Sequence, residues 1–220
     1  MNPIHATLAA VAALAAAGAA QKRGSRNATN SDAFRRWFGD SQVVDEQGEP
    51  LVMYHGTMRD FDAFDPDKSF TGLGASFFTP DPAFTDDYTY SGASLGKGGS
   101  IMPVYLKVEN PYDATNPAHR EIAKAKIREA YPDGLYVGQS FLEGEALVDY
   151  IVRDRTGYRA VEDPRLMVAL RESGFDGFYV TERGVRNIGV FSPTQIKSAT
   201  GNRGTFSPTD PRISYNRRAP

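Results

Sequence analysis

Apolar residues recur along this chain at two different spacings, and the change of spacing marks out its elements. Ala33, Phe34, Trp37 and Phe38 are three and four apart, one face of a short helix, with Ser31 and Asp32 placed to cap it. After a polar turn at residues 45–50, Leu51-Val52-Met53-Tyr54-His55 reads as a buried strand. Beyond Gly72 and Gly74 come the aromatic strand Ser76-Phe77-Phe78, a helix over residues 81–90, and an alternating strand over 101–108 with Pro103 near its start. Helical character runs through 117–135 and 141–155, where Ala123, Ile127 and Ala130 form one stripe, and a last short helix at 166–171 stops at Ser173-Gly174. Residues 177–180 and 187–191, with 181–186 as the turn, have the form of a β-hairpin, and 195–198 adds a final edge strand.

These elements divide the chain into an Ala-rich apolar segment (1–20), a polar linker (21–31), one α+β domain (32–199) and a tail expected to be irregular (200–220). The apolar run at 6–20 is too short to span a bilayer comfortably. It reads either as a signal peptide ending in Gly18-Ala19-Ala20, although no Lys or Arg precedes it, or as an Ala-rich helix or the edge of a neighbouring segment.

A formal charge of −2 supplies no general pull toward nucleic acid. The absence of Cys removes disulfides, thiolate metal sites and a cysteine nucleophile together. With only His5, His55 and His119, widely spaced, no metal site is expected. P-loop, nucleophile-elbow and zinc-helix motifs are all missing.

Three segments carry candidate chemistry: Tyr54-His55-Gly56-Thr57; Gly72-Leu73-Gly74-Ala75-Ser76-Phe77-Phe78 with Tyr88 beyond; and Asn187-Ile188-Gly189-Val190-Phe191 leading to Gln195-Ile196. Taken singly, each has a structural reading: a strand-end histidine, core phenylalanines, glycines that shape a turn. In this order they resemble the ADP-ribosyltransferases of the diphtheria-toxin and poly(ADP-ribose)-polymerase class, marked by a His-Tyr-Glu triad. The opening block at residues 34–41 and 48–57 and the closing block at 191–206 are similar to the ADP-ribosyltransferase-like domains of phage and mobile-element polyvalent proteins. The likeness extends over about residues 33–215, nearly the whole globular part.

The resemblance implies an ADP-ribosyltransferase fold, a split and mainly antiparallel sheet with flanking helices and a central NAD⁺ cleft. It implies that His55 holds the adenosine-side ribose, Gly56 pairs with the carboxamide, and Phe77 and Tyr88 sandwich the nicotinamide, with Tyr54, Thr57, Gly74 and Phe78 lining the cleft. Physical chemistry agrees in kind: an imidazole can bond a ribose hydroxyl, a glycine lets a ligand amide approach the main chain, and aromatic faces stack on a flat ring.

Two positions depart from the family's pattern. Phe77 stands where Tyr is usual, keeping the ring and losing a hydroxyl; Asn187 stands where Glu is usual, so a carboxylate that steadies the developing oxocarbenium charge is replaced by an amide. The catalytic set is thus His55, Phe77 and Asn187. Glu182, in the adjoining turn, reads either as a substitute carboxylate or as a solvated turn residue, and Arg183 and Arg186 as contacts to a pyrophosphate or acceptor or as exposed charges.

The function expected is transfer of one ADP-ribose from NAD⁺, the co-substrate, to a protein or other macromolecular acceptor in a host or rival cell. The site of action is the host cytoplasm, or outside the producing cell if residues 1–20 are a signal peptide. The alternatives are a weakly catalytic module binding NAD⁺ or ADP-ribose, favoured by the amide at 187, and an NAD⁺ glycohydrolase using water as nucleophile.

Overall fold

Two small sheets lie face to face, and the chain alternates between them. The computed structural model describes residues 29–59, 61–69, 72–85, 99–153, 157–202 and 206–214. The first sheet has the order β1 (Met53–Thr57), β3 (Ser100–Leu106), β9 (Ile196–Ser198), all antiparallel, with His55 opposite Met102 and Val104 opposite Ser198. The second has the order β2 (Ser76–Phe78), β8 (Val185–Val190), β7 (Gly177–Glu182), β4 (Pro111–Tyr112), with only β4 and β7 parallel.

Strand alternation sorts the side chains into layers. Val104 and Leu106 join Met53, Phe64, Phe78, Ile188, Val190 and Ile196 in the core between the sheets. Tyr105, pointing the other way, joins Phe34, Trp37, Phe38 and Phe206. The outer face of the second sheet packs its Phe178 and Val180 against α2 (Pro117–Ala130), α3 (Gly144–Ile151) and α4 (Pro164–Glu172) through Ile127, Leu147, Leu166 and Leu170. Helix α1 (Asp32–Phe38) forms where its spacing predicts, with the Ser31 hydroxyl accepting from the Phe34 amide at 3.1 Å. The domain is α+β, as expected.

Several boundaries differ from the sequence reading, each for a local reason. The described part of the helix expected over 81–90 is a 3₁₀ turn, Pro82–Thr85, where the Asp81 carboxylate accepts from the Ala83 amide and the Thr85 hydroxyl donates to the Pro82 carbonyl; the remainder lies outside the described residues. The α2 helix ends at Ala130 rather than 135, because Pro132 disfavours helical geometry at Tyr131, and Ala130 is exposed, not part of the stripe. Residues 135–142, assigned in part to helices, form a small hairpin of β5 (Leu135–Val137) and β6 (Ser140–Leu142) whose two-residue loop is Gly138-Gln139, with Gly138 at φ +61°.

The β7–β8 hairpin is longer than expected: Glu182 pairs with Val185, so the turn is only Arg183-Gly184, at φ +50° and +81°. The described part of the tail is anchored to the domain. Phe206 is buried against Phe34 and Trp37, the Ile213 amide donates to the Asp62 carbonyl at 2.7 Å, and the ammonium of buried Lys197 donates to the Asp210 and Arg212 carbonyls at 2.6 and 3.2 Å.

Candidate functional site

The two sheets touch edge to edge at one residue pair and then part. Tyr54 and Thr79 exchange both backbone hydrogen bonds, at 2.8 and 3.0 Å. Continuing that register would set His55 opposite Phe78 and Gly56 opposite Phe77, yet β1 and β2 belong to different sheets. What links them there is a side chain: His55 Nδ1 lies 2.9 Å from the Phe77 carbonyl oxygen. Because a carbonyl only accepts, Nδ1 carries the hydrogen, and Nε2 of the neutral ring is left as an acceptor. Along β1 the backbone groups alternate in direction, so those of Gly56 face the same edge as those of Tyr54, into the parted region.

His55 is partly buried between the rings of Phe64, at 4.9 Å, and Phe78, at 5.4 Å between centroids, with Phe61 beyond. Burial holds its pKa below the ordinary histidine value, and the bond to the Phe77 carbonyl opposes that shift more weakly. Phe78 is therefore the wall behind His55 in the inter-sheet core, whereas the ring of Phe77 points to the other face, 5.6 Å from Phe178 and 6.2 Å from Tyr158.

Opposite Phe77 on β8 stands Gly189, where any Cβ would run into the Phe178 ring. Two residues along, on the same face, is Asn187, buried at 3 % exposure. Its Nδ2 donates to Glu182 Oε2 at 3.0 Å, and its Oδ1 is buried with no hydrogen-bond partner.

The glycine loop leading into β2 is fastened from behind. Arg171 donates to the carbonyls of Leu73, at 3.3 Å, and Gly74, while its guanidinium lies 4.6 Å over the Phe191 ring. Gly74 sits at φ +62°, and a Cβ there would come within 2.5 Å of that guanidinium. The Thr57 hydroxyl accepts from the Arg59 amide at 3.1 Å and closes the turn after β1. Tyr88 lies outside the described residues.

The structure thus brings His55, Gly56 and Phe77 to the parted edge of the two sheets, with Asn187 on the neighbouring strand β8, on the face of Phe77, and Glu182 on β7 bonded to it. Arg186 is turned elsewhere: it pairs with Asp113 at 2.8 Å and stacks on Tyr179 at 3.7 Å, lining with Thr181 and Gly157 a separate cavity of about 230 Å³ that includes none of His55, Phe77, Asn187 or the residues expected to line the cleft. Arg183 lies 5.7 Å over the Phe84 ring. Arg171 was missed by sequence reasoning, since a helix-end arginine carries no local sign of the loop it will reach. Glu182 was placed in a turn although Arg183-Gly184 already had the form of a two-residue hairpin loop, the signal that would have put it on a strand. Among the described residues no group of three His, Cys, Asp or Glu side chains converges as a metal site, and no helix is long and apolar enough to cross a membrane.

Fold and site together define a mixed α+β domain whose two half-sheets part beside a histidine that straddles the gap. Residues 45–206 match the family model described as ADP-ribosyltransferase in polyvalent proteins, and the chain belongs to that family. Its activity class is accordingly that of the ADP-ribosyltransferases. No curated protein and no solved structure matched the chain.

Proposed function

We propose that this protein transfers a single ADP-ribosyl group from NAD⁺ to a macromolecular acceptor, most simply a protein of a host or rival cell, with release of nicotinamide. The observation that carries the reading is the His55–Phe77 bridge across the parted sheets, within a chain of this family. In support of it, the neutral imidazole keeps Nε2 as an acceptor that a ribose hydroxyl would use, the Gly56 main chain faces the parted region, where a carboxamide would pair with it, and the Phe77 ring would serve as an apolar face. The unpaired Asn187 Oδ1 fits the same ligand, since a buried acceptor without a donor costs about 1–3 kcal/mol and a ribose hydroxyl would satisfy it.

In the reaction the bond between the nicotinamide nitrogen and the anomeric carbon breaks, and its electron pair leaves with nicotinamide. An acceptor nucleophile forms the new bond to that carbon and gives up its proton. Positive charge develops on the ribose in between, so the site must orient the sugar and stabilise that charge. His55, Gly56 and Phe77 serve the first need. The rival reading, a weakly catalytic NAD⁺-binding module, rests on the amide at 187.

The test is incubation with NAD⁺ labelled on its adenosine half, with and without host lysate, following released nicotinamide and labelled protein together. Label on protein that disappears in His55→Ala is the expected result. Nicotinamide release without labelled protein would mean a hydrolase, and binding with neither signal would mean a binding module.

A further inference from the structure

Asn187 leaves the transition state without the anion it calls for, yet a carboxylate is bonded to that asparagine. We infer that Glu182 is the catalytic carboxylate of this site, presented from β7 rather than β8, with Asn187 as its positioning residue; the inference rests on the transferase reading above.

Three observations carry it. First, Glu182 belongs to the strand and not to the turn. Its pairing with Val185 sets its side chain on the same sheet face as Val180 and, across the ladder, Asn187, which is the face of Phe77. Second, the contact is made: Asn187 Nδ2 donates to Glu182 Oε2 at 3.0 Å. An ionised carboxylate only accepts, so it fixes the amide with nitrogen toward Glu182 and oxygen away from it. That orientation is what leaves Oδ1 buried and without a partner. A purely structural asparagine would be expected to satisfy both ends of its amide.

Third, the other acids around these strands are engaged otherwise. Asp113 is paired with Arg186, Asp176 accepts from the backbone amides of Glu109 and Asn110, and Asp81 accepts from the Ala83 amide. Among the described residues Glu182 forms no ion pair; the neutral Asn187 amide holds it and leaves its negative charge uncancelled.

The pair divides what one glutamate would do. Asn187 Oδ1 accepts a ribose hydroxyl, and the Glu182 carboxylate faces the positive charge that appears on the sugar as the glycosidic bond breaks. Glu182 forms no covalent bond in this scheme. The electron pair leaves with nicotinamide, the acceptor nucleophile bonds to the anomeric carbon, and the acceptor's proton passes to Glu182 and on to solvent.

The experiment compares wild type, His55→Ala and Glu182→Gln in nicotinamide release at saturating NAD⁺, with NAD⁺ affinity by calorimetry and thermal melting of each variant. Glu182→Gln keeps the size of the side chain and its ability to accept from Asn187, so its fold and NAD⁺ affinity are expected to stay near wild type. Its turnover is expected to fall by about 10²-fold or more. A loss of turnover at unchanged NAD⁺ affinity and melting temperature is a split that a structural role would not produce. Wild-type turnover abolished by His55→Ala but unchanged in Glu182→Gln would overturn the assignment of Glu182 alone. A wild-type chain with no turnover on NAD⁺ would overturn the transferase reading and this inference with it.

Discussion

The orientation of one amide and the protonation of one imidazole set the chemistry of the parted edge. His55 donates from Nδ1 to the Phe77 carbonyl, so only the neutral ring offers Nε2 as an acceptor, and burial favours that neutral form. The sign of the pH dependence follows. A histidine whose folded-state pKa lies below its unfolded value contributes stability that is complete above about pH 6.5 and declines as pH falls through the folded pKa, because the unfolded chain binds the proton first. Between the two values the loss is about 1.4 kcal/mol per pH unit. Urea unfolding at a series of pH values from 7.5 to about 5 is expected to show wild type losing more stability than His55→Gln; equal slopes would mean that His55 titrates alike in both states. The sequence pointed to His55 as an isolated histidine at a strand end inside a family block. It held no sign of the Phe77 carbonyl as its partner, because that contact joins residues 22 apart across two sheets.

At the scale of elements, what was legible depended on whether the signal was local. Helix α1 and strand β2 could be read from spacing and caps alone, and α4 starts two residues earlier than read because Asp163 caps it and Pro164 begins it. The β5–β6 hairpin was hidden between two helical stretches, although Gly138-Gln139 marks its turn. Strand β4, two residues long, exists because its parallel partner β7 is there to pair with it, and nothing local announces it. The β7–β8 hairpin also explains a glycine inside a strand. Gly189 is flat because the Phe178 ring lies over it, and Phe178 in turn contacts Phe77 and Phe191. Gly189→Ala is therefore expected to cost about 1–3 kcal/mol, as overpacking does, and to lower the melting temperature by several degrees. An unchanged melting temperature would show that the ring can move aside.

For the whole molecule, the layered arrangement makes the gap between the half-sheets a consequence of packing. The first sheet is held from outside by α1 and the tail, through Phe206 on Phe34 and Trp37 and through buried Lys197, whose pKa burial pushes down to about 8. The second is held by the three helices on its far face, through Ile127, Leu147 and Leu170. Each sheet is fastened to its own outer layer, and at their edges the two meet in the single pair Tyr54–Thr79 before parting at Gly56 and Phe77. The place of residues 206–214 as a supporting layer was not readable, since Phe206 and Ile213 sit among turn-forming residues with no periodicity. The most direct measurement of the central claim is an experimental structure of the protein with a non-cleavable NAD⁺ analogue. The expected result is a nicotinamide against the Phe77 ring with its carboxamide on the Gly56 backbone, and ribose hydroxyls at His55 Nε2 and Asn187 Oδ1. An analogue bound instead in the cavity between Asp113, Tyr179 and Arg186, with the parted edge empty, would contradict it.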